Sequence, residues 1–80
     1  MSTHVRLQVL PGPDVDVAAV CAFIASAGGP DGHGTVRRGD GPTWLTFQVS
    51  GPDRVALGRE LEQQLLASPL DVVVELLVFR

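Results

Sequence analysis

Lysine, asparagine and tyrosine are absent from these 80 residues, and cysteine, tryptophan and isoleucine occur once each, as Cys21, Trp44 and Ile24. A single cysteine excludes a disulfide within the chain and a thiol-rich metal centre. Without lysine, the six basic residues are all arginines, set against nine acids for a net charge of −3. That balance argues against nucleic acid or an anionic membrane as partner. The scarcity of Lys, Asn and Ile beside abundant Ala, Val, Gly, Pro, Asp and Arg reads as the codon bias of a GC-rich genome. The arginines therefore need not have been chosen over lysine for chemistry. No apolar run approaches the ~20 residues that cross a bilayer. The opening residues, MSTHVRLQVLPGPD, lack an apolar stretch behind a basic start, so a secretory leader is not expected and the cytoplasm is the expected location.

What is present is a 45% apolar composition, enough to exclude disorder. Residues 1–80 are expected to form one domain. At this size, burial at about 25 cal/mol per Å² is nearly cancelled by roughly 1.5 kcal/mol of ordering entropy per residue. A second copy of the chain is a common source of the missing stability.

An internal repeat organises the sequence. LQVLPGPD (Leu7–Asp14) and FQVSGPD (Phe47–Asp53) each end an alternating run and precede a segment of helical length. In HVRLQVL, Val5, Leu7 and Val9 point one way and His4, Arg6 and Gln8 the other, the period of a half-buried strand. TWLTFQV repeats this, with Leu45, Phe47 and Val49 inward. A short strand near TVRR precedes it through a GDGP turn, and DVVVELLVF forms the last strand. The spacing predicts helices from about Asp14 to Ala27 and from about Pro52 to Ala67. Pro13 and Pro52 suit a first helical position, and Asp14 and Asp53 suit the positive end of the dipole. Val17, Val20, Cys21 and Ile24 make one core stripe, and Leu57, Leu61 and Leu65 the other.

The predicted fold is therefore α+β, a ferredoxin-like βαββαβ sandwich: a four-stranded antiparallel sheet with two helices on one face. Strands one and three lie in the centre, two and four at the edges.

GPDGHGT (Gly29–Thr35) has glycines at the spacing of a phosphate-binding loop. Such a loop works where a strand enters and a helix leaves, with a lysine on the outer phosphates. Here a helix enters and a strand leaves, and lysine is missing. The stretch reads as an αβ connector, with His33 an exposed loop residue. Arg38-Gly39-Asp40, an adhesion tripeptide by spelling, reads as a hairpin tip.

With both helices on one side, the other sheet face is open. It is expected to present His4, Arg6 and Gln8, then Trp44, Thr46 and Gln48, then Thr35 and Arg37, and finally Val73, Glu75, Leu77 and Phe79. An exposed Val73–Leu77–Phe79 strip is too apolar to leave in water, which predicts an interface there and a homo-oligomer, most simply a dimer. RNA-recognition modules of this topology stack bases on aromatics of both central strands, and strand one offers none. Two sheets packed face to face would instead enclose a cavity lined by His4, Arg6, Trp44, Gln48 and Glu75, as in small dimeric α+β barrel enzymes. His4 and Glu75 are the pair that would move a proton there.

The stretch LPGPDVDVAAV resembles the strand–Pro-Gly–helix turn of the ACT-like group of ferredoxin-like domains, which sense amino acids and pair side by side. The resemblance covers the whole chain in topology. It implies a regulatory module with Pro11, Gly12, Asp14 and Val15 on the ligand side. It departs from the family at Pro13, and the same Gly-Pro-Asp reads equally as a helix start. The expected function is a small non-catalytic regulatory or interaction module with a possible small-molecule ligand, the dimeric enzyme being the alternative. No catalytic residue, metal or cofactor is assigned.

Overall fold

Val5, Leu7 and Val9 are fully buried while His4 and Arg6 are exposed, so the alternation of the first strand becomes an inside and an outside. The computed structural model describes residues 3–80. Its elements are β1 (His4–Pro11), α1 (Val17–Ser26), β2 (Gly34–Arg37), β3 (Thr43–Val49), α2 (Arg54–Ala67) and β4 (Val72–Phe79). They form an α+β sandwich whose sheet is antiparallel throughout, in the order β2-β3-β1-β4. β1 and β3 are central and β2 and β4 are edges, as the repeat predicts.

One core lies between sheet and helices. Val5, Leu7 and Val9 of β1 and Leu45, Phe47 and Val49 of β3 meet Val20 and Ile24 of α1 and Leu61 and Leu65 of α2. Val72, Val74 and Leu76 of β4 pack against the same cluster. Both helices thus share one face, and β4 follows the same odd–even division as the sequence pattern.

Close approach of α2 depends on Gly58. A Cβ there would lie 2.9 Å from Leu76 Cδ1 and 3.0 Å from Val5 Cγ1. The chain leaves α1 through Gly28, at φ +90°, and the Gly29 N–H donates back to the Ile24 carbonyl at 2.9 Å. That is the stop expected of paired glycines.

The two Gly-Pro-Asp copies are not equivalent. At the first, Val15 N–H donates to the Gly12 carbonyl at 3.1 Å, a turn with Pro13 and Asp14 at its centre. α1 therefore starts three residues later than the repeat predicts, with Asp16 as its cap, its carboxylate accepting from Ala18 N–H at 3.1 Å. Asp14 is not part of the helix. Val17, as first helical residue, is 40% exposed, and Val15 takes the core contact instead. At the second copy Asp53 caps α2 directly, without a side-chain hydrogen bond.

The phase of β2 also differs from expectation. Val36 pairs with Trp44, so Val36 shares the open face, while Thr35 and Arg37 pair with Leu45 and Thr43 on the helix side. A four-residue strand carries too little alternation to fix its phase, and a slip of one residue exchanges its faces.

Candidate functional site

The open face is a set of cross-strand rows. Gly34, Thr46, Gln8 and Glu75 form one row across all four strands. Arg6 lies between Gln48 and Leu77 in the next, and His4 stands opposite Phe79. Trp44 lies beside Val36, towards the other end of the face.

Arg38, in the β2–β3 turn, closes over the middle of this surface. Its Nη1 donates to Glu75 Oε2 at 2.7 Å and its Nη2 to Gln8 Oε1, while its guanidinium carbon lies 4.4 Å from the centre of the Trp44 ring. Gln8 is the buried polar residue of the face, 6% exposed, and this bond satisfies it. Sequence reasoning saw Arg38 only as part of a hairpin tripeptide. The sequence places Gln8 on the open face, and its burial, which calls for a polar partner, is visible only in the structure.

The five residues of the expected cavity, which two facing sheets would enclose, are spread along the open face of the single chain. Arg6 and Gln48 are direct cross-strand partners. Glu75, however, faces Gln8, four residues along β1 from His4 or about 13 Å of strand. With its carboxylate already on Arg38, Glu75 is not placed to exchange a proton with His4 of the same chain.

Of the four residues implied by the turn resemblance, Pro11 and Gly12 line a small apolar groove with Leu10, Pro42 and Val73. Gly12 N–H donates to the Asp71 carbonyl at 2.8 Å, tying the turn to the start of β4. Asp14 and Val15 do not line that groove: Asp14 is exposed in the turn and Val15 packs on the core.

On β4, Val73 is 55% and Phe79 46% exposed, and Leu77 is half-buried. Arg6 lies with its guanidinium carbon 5.8 Å from the Phe79 ring centre.

His33 is an exposed loop residue, as expected, with two side-chain neighbours. Its Nδ1 lies 3.4 Å from Cys21 Sγ, and its ring centre is 5.6 Å from that of Phe47. Together with Arg6, Gly32, Gly34, Thr46 and Gln48 it lines an open concavity of about 410 Å³ where β2 begins. A larger concavity, of about 730 Å³, lies at the start of α2 beside Arg54 and Arg59. Arg54 is already bonded there to the carbonyls of Thr3 and Gly51, and Asp53 adds a carboxylate, so it is the less receptive of the two.

Among the described residues, no group of three His, Cys, Asp or Glu side chains is placed to hold a metal ion. No described helix is long and apolar enough to cross a membrane. The chain matches no family model and no curated protein.

Proposed function

We propose that the protein is a small, non-catalytic binding or regulatory module of the cytoplasm that works as a homo-oligomer, most simply a dimer joined along β4. The observation that carries this reading is the β4 edge itself. It runs for eight residues without proline, and Val73 and Phe79 stand exposed on it. Its one charged side chain, Glu75, is neutralised by Arg38 of the same chain. Long apolar edges are normally blunted by charge, proline or shortness. The opposite edge is blunted in this way: β2 has four residues, begins at a glycine and ends at an arginine.

The ferredoxin-like assignment belongs to the same proposal. It is supported by the βαββαβ order, the antiparallel sheet with β1 and β3 central, and the helices sharing a face. ACT-like sensing is the form of regulation that the first turn suggests, with Pro11 and Gly12 contributing backbone to a ligand. The catalytic alternative has less support, because His4 and Glu75 lie apart and Glu75 is engaged.

Light scattering on a sizing column tests the reading. A dimer at micromolar concentration is expected, converted to a folded monomer by Leu77→Arg with Phe79→Asp. A folded wild-type monomer, or a dimer indifferent to both substitutions, would overturn it.

A further inference from the structure

The concavity at the start of β2 has a chemistry of its own. We propose that it binds the anionic group of a small metabolite, a carboxylate or a phosphate. The site is separate from the Pro11–Gly12 turn, which lies at the far end of β1.

Its lining is one-sided. Arg6, Thr46 and Gln48 supply hydrogen-bond donors, Gly32, His33 and Gly34 form the rim, and no carboxylate is among them. This is unusual local composition for a chain whose net charge is −3. Arg6, like Arg59 and Arg80, is also a cation not yet engaged. Among the described residues the one ion pair is Arg38–Glu75, and Arg6 makes no hydrogen bond. Its contact with the Phe79 ring orients the guanidinium without using any of its N–H groups. A planar fork of donors held in place is the group that best recognises carboxylate or phosphate oxygens.

The other donors are positioned rather than merely nearby. Gln48 is the cross-strand partner of Arg6, and Thr46 is the partner of Gly34, so four of the lining residues sit on the two central strands and the start of β2. Sites carried on strands hold their geometry better than sites on loops. His33 forms part of the rim from the loop, with its imidazole turned towards Cys21 and Phe47 on the helix side. Gly32 and Gly34 leave the mouth clear: nothing lies within 4 Å of a Cβ at Gly32, and a Cβ at Gly34 would reach Thr46 Cγ2 at 3.4 Å. The concavity, of about 410 Å³, is open to solvent and admits a small anion from the surface.

Isothermal titration at fixed ionic strength, with inorganic phosphate and with succinate as probes, tests the proposal. At least one is expected to give a saturable one-to-one isotherm, with shifts of the Thr46 and Gln48 amide resonances. Phosphate alone would identify a phosphorylated metabolite, and succinate alone a carboxylic acid. Arg6→Gln is expected to weaken binding about tenfold or more, the worth of a charge-assisted contact. Thr46→Val gives a second, smaller loss and serves if Arg6→Gln folds poorly. Arg59→Gln, at the concavity beside α2, should leave binding unchanged. The proposal falls if neither anion saturates, or if Arg59→Gln weakens binding as much as Arg6→Gln. The association state is read separately on a sizing column, so its outcome is distinguishable from that of the anion titration.

Discussion

Arg38 spans the sheet from the β2–β3 turn to Glu75 on β4, Nη1 to Oε2 at 2.7 Å, and on the way satisfies the amide oxygen of Gln8. The turn is thereby fastened across β3 and β1 to the far edge of the sheet. The ion pair itself is half in water, with side-chain exposures of 40% and 44%. Pairs so exposed contribute about 0–1 kcal/mol. The bond to Gln8 matters more, since Gln8 is 6% exposed and a stranded buried acceptor costs about 1–3 kcal/mol.

Arg38→Ala should therefore destabilise the fold by about 1–3 kcal/mol, and Glu75→Gln by no more than about 1 kcal/mol. Urea denaturation of both variants and the double variant measures the difference. Gln8→Leu should largely abolish the excess cost of Arg38→Ala, because no acceptor remains to be stranded. An Arg38→Ala cost equal to that of Glu75→Gln would show that the salt bridge, not Gln8, is what Arg38 serves.

The two helix caps should differ. Asp16 accepts from Ala18 N–H at 3.1 Å, whereas Asp53 makes no such bond. Asp16→Ala should cost about 1 kcal/mol, the usual loss of a cap. Asp53→Ala should lose only a dipole interaction of about 0.3–1 kcal/mol. Thermal unfolding at low and moderate salt separates them, since salt screens the second and spares most of the first. Equal and equally screened losses would contradict the assigned caps.

The long periodic elements were legible in the sequence because burial imposes its period on every residue. TWLTFQV is β3 to the residue, and HVRLQVL and DVVVELLVF lie within one residue of β1 and β4 at each end. What the pattern misses is decided by tertiary partners. Pro13 and Asp14 have the chemistry of a helix start, but the Gly12–Val15 turn uses them first. His33 is exposed between two glycines, as its setting suggests, but its contacts with Cys21 and Phe47 are tertiary and leave no mark in the local sequence. Arg38 acquires a role only once Gln8, Trp44 and Glu75 are assembled by strand order.

Gly58 should resist the substitution that helix propensity favours. Alanine there gains about 1 kcal/mol of intrinsic helicity. Its methyl would meet Val5 Cγ1 at 3.0 Å and Leu76 Cδ1 at 2.9 Å. The leucine can rotate, but the valine is β-branched and sits on a central strand, so α2 must lift from the sheet. Overpacking of this kind costs about 1–3 kcal/mol, and Gly58→Ala should be neutral to destabilising by about 2 kcal/mol. A rise in melting temperature would mean that the helix sits more loosely on the sheet than these distances indicate.

If β4 joins two copies, its own sequence selects the register. An antiparallel pair about a two-fold axis normal to the sheet keeps both helix layers on one side, so odd residues face odd and even face even. Centring on Glu75 would set two carboxylates opposite each other, and like charges so placed are unfavourable. Centring on Leu76 sets Val73 against the partner's Phe79 and Glu75 against the partner's Leu77, while each carboxylate keeps its own Arg38. Cysteines at 73 and 79, in a Cys21→Ser background, should then oxidise to a covalent dimer on a non-reducing gel. Within one chain the two positions lie about 20 Å apart along the strand, beyond the ~7 Å limit between bridged Cα atoms. Each single-cysteine variant should stay monomeric under the same oxidation. Cross-linking by Val73→Cys alone would move the axis, and none by the double variant would remove β4 from the interface.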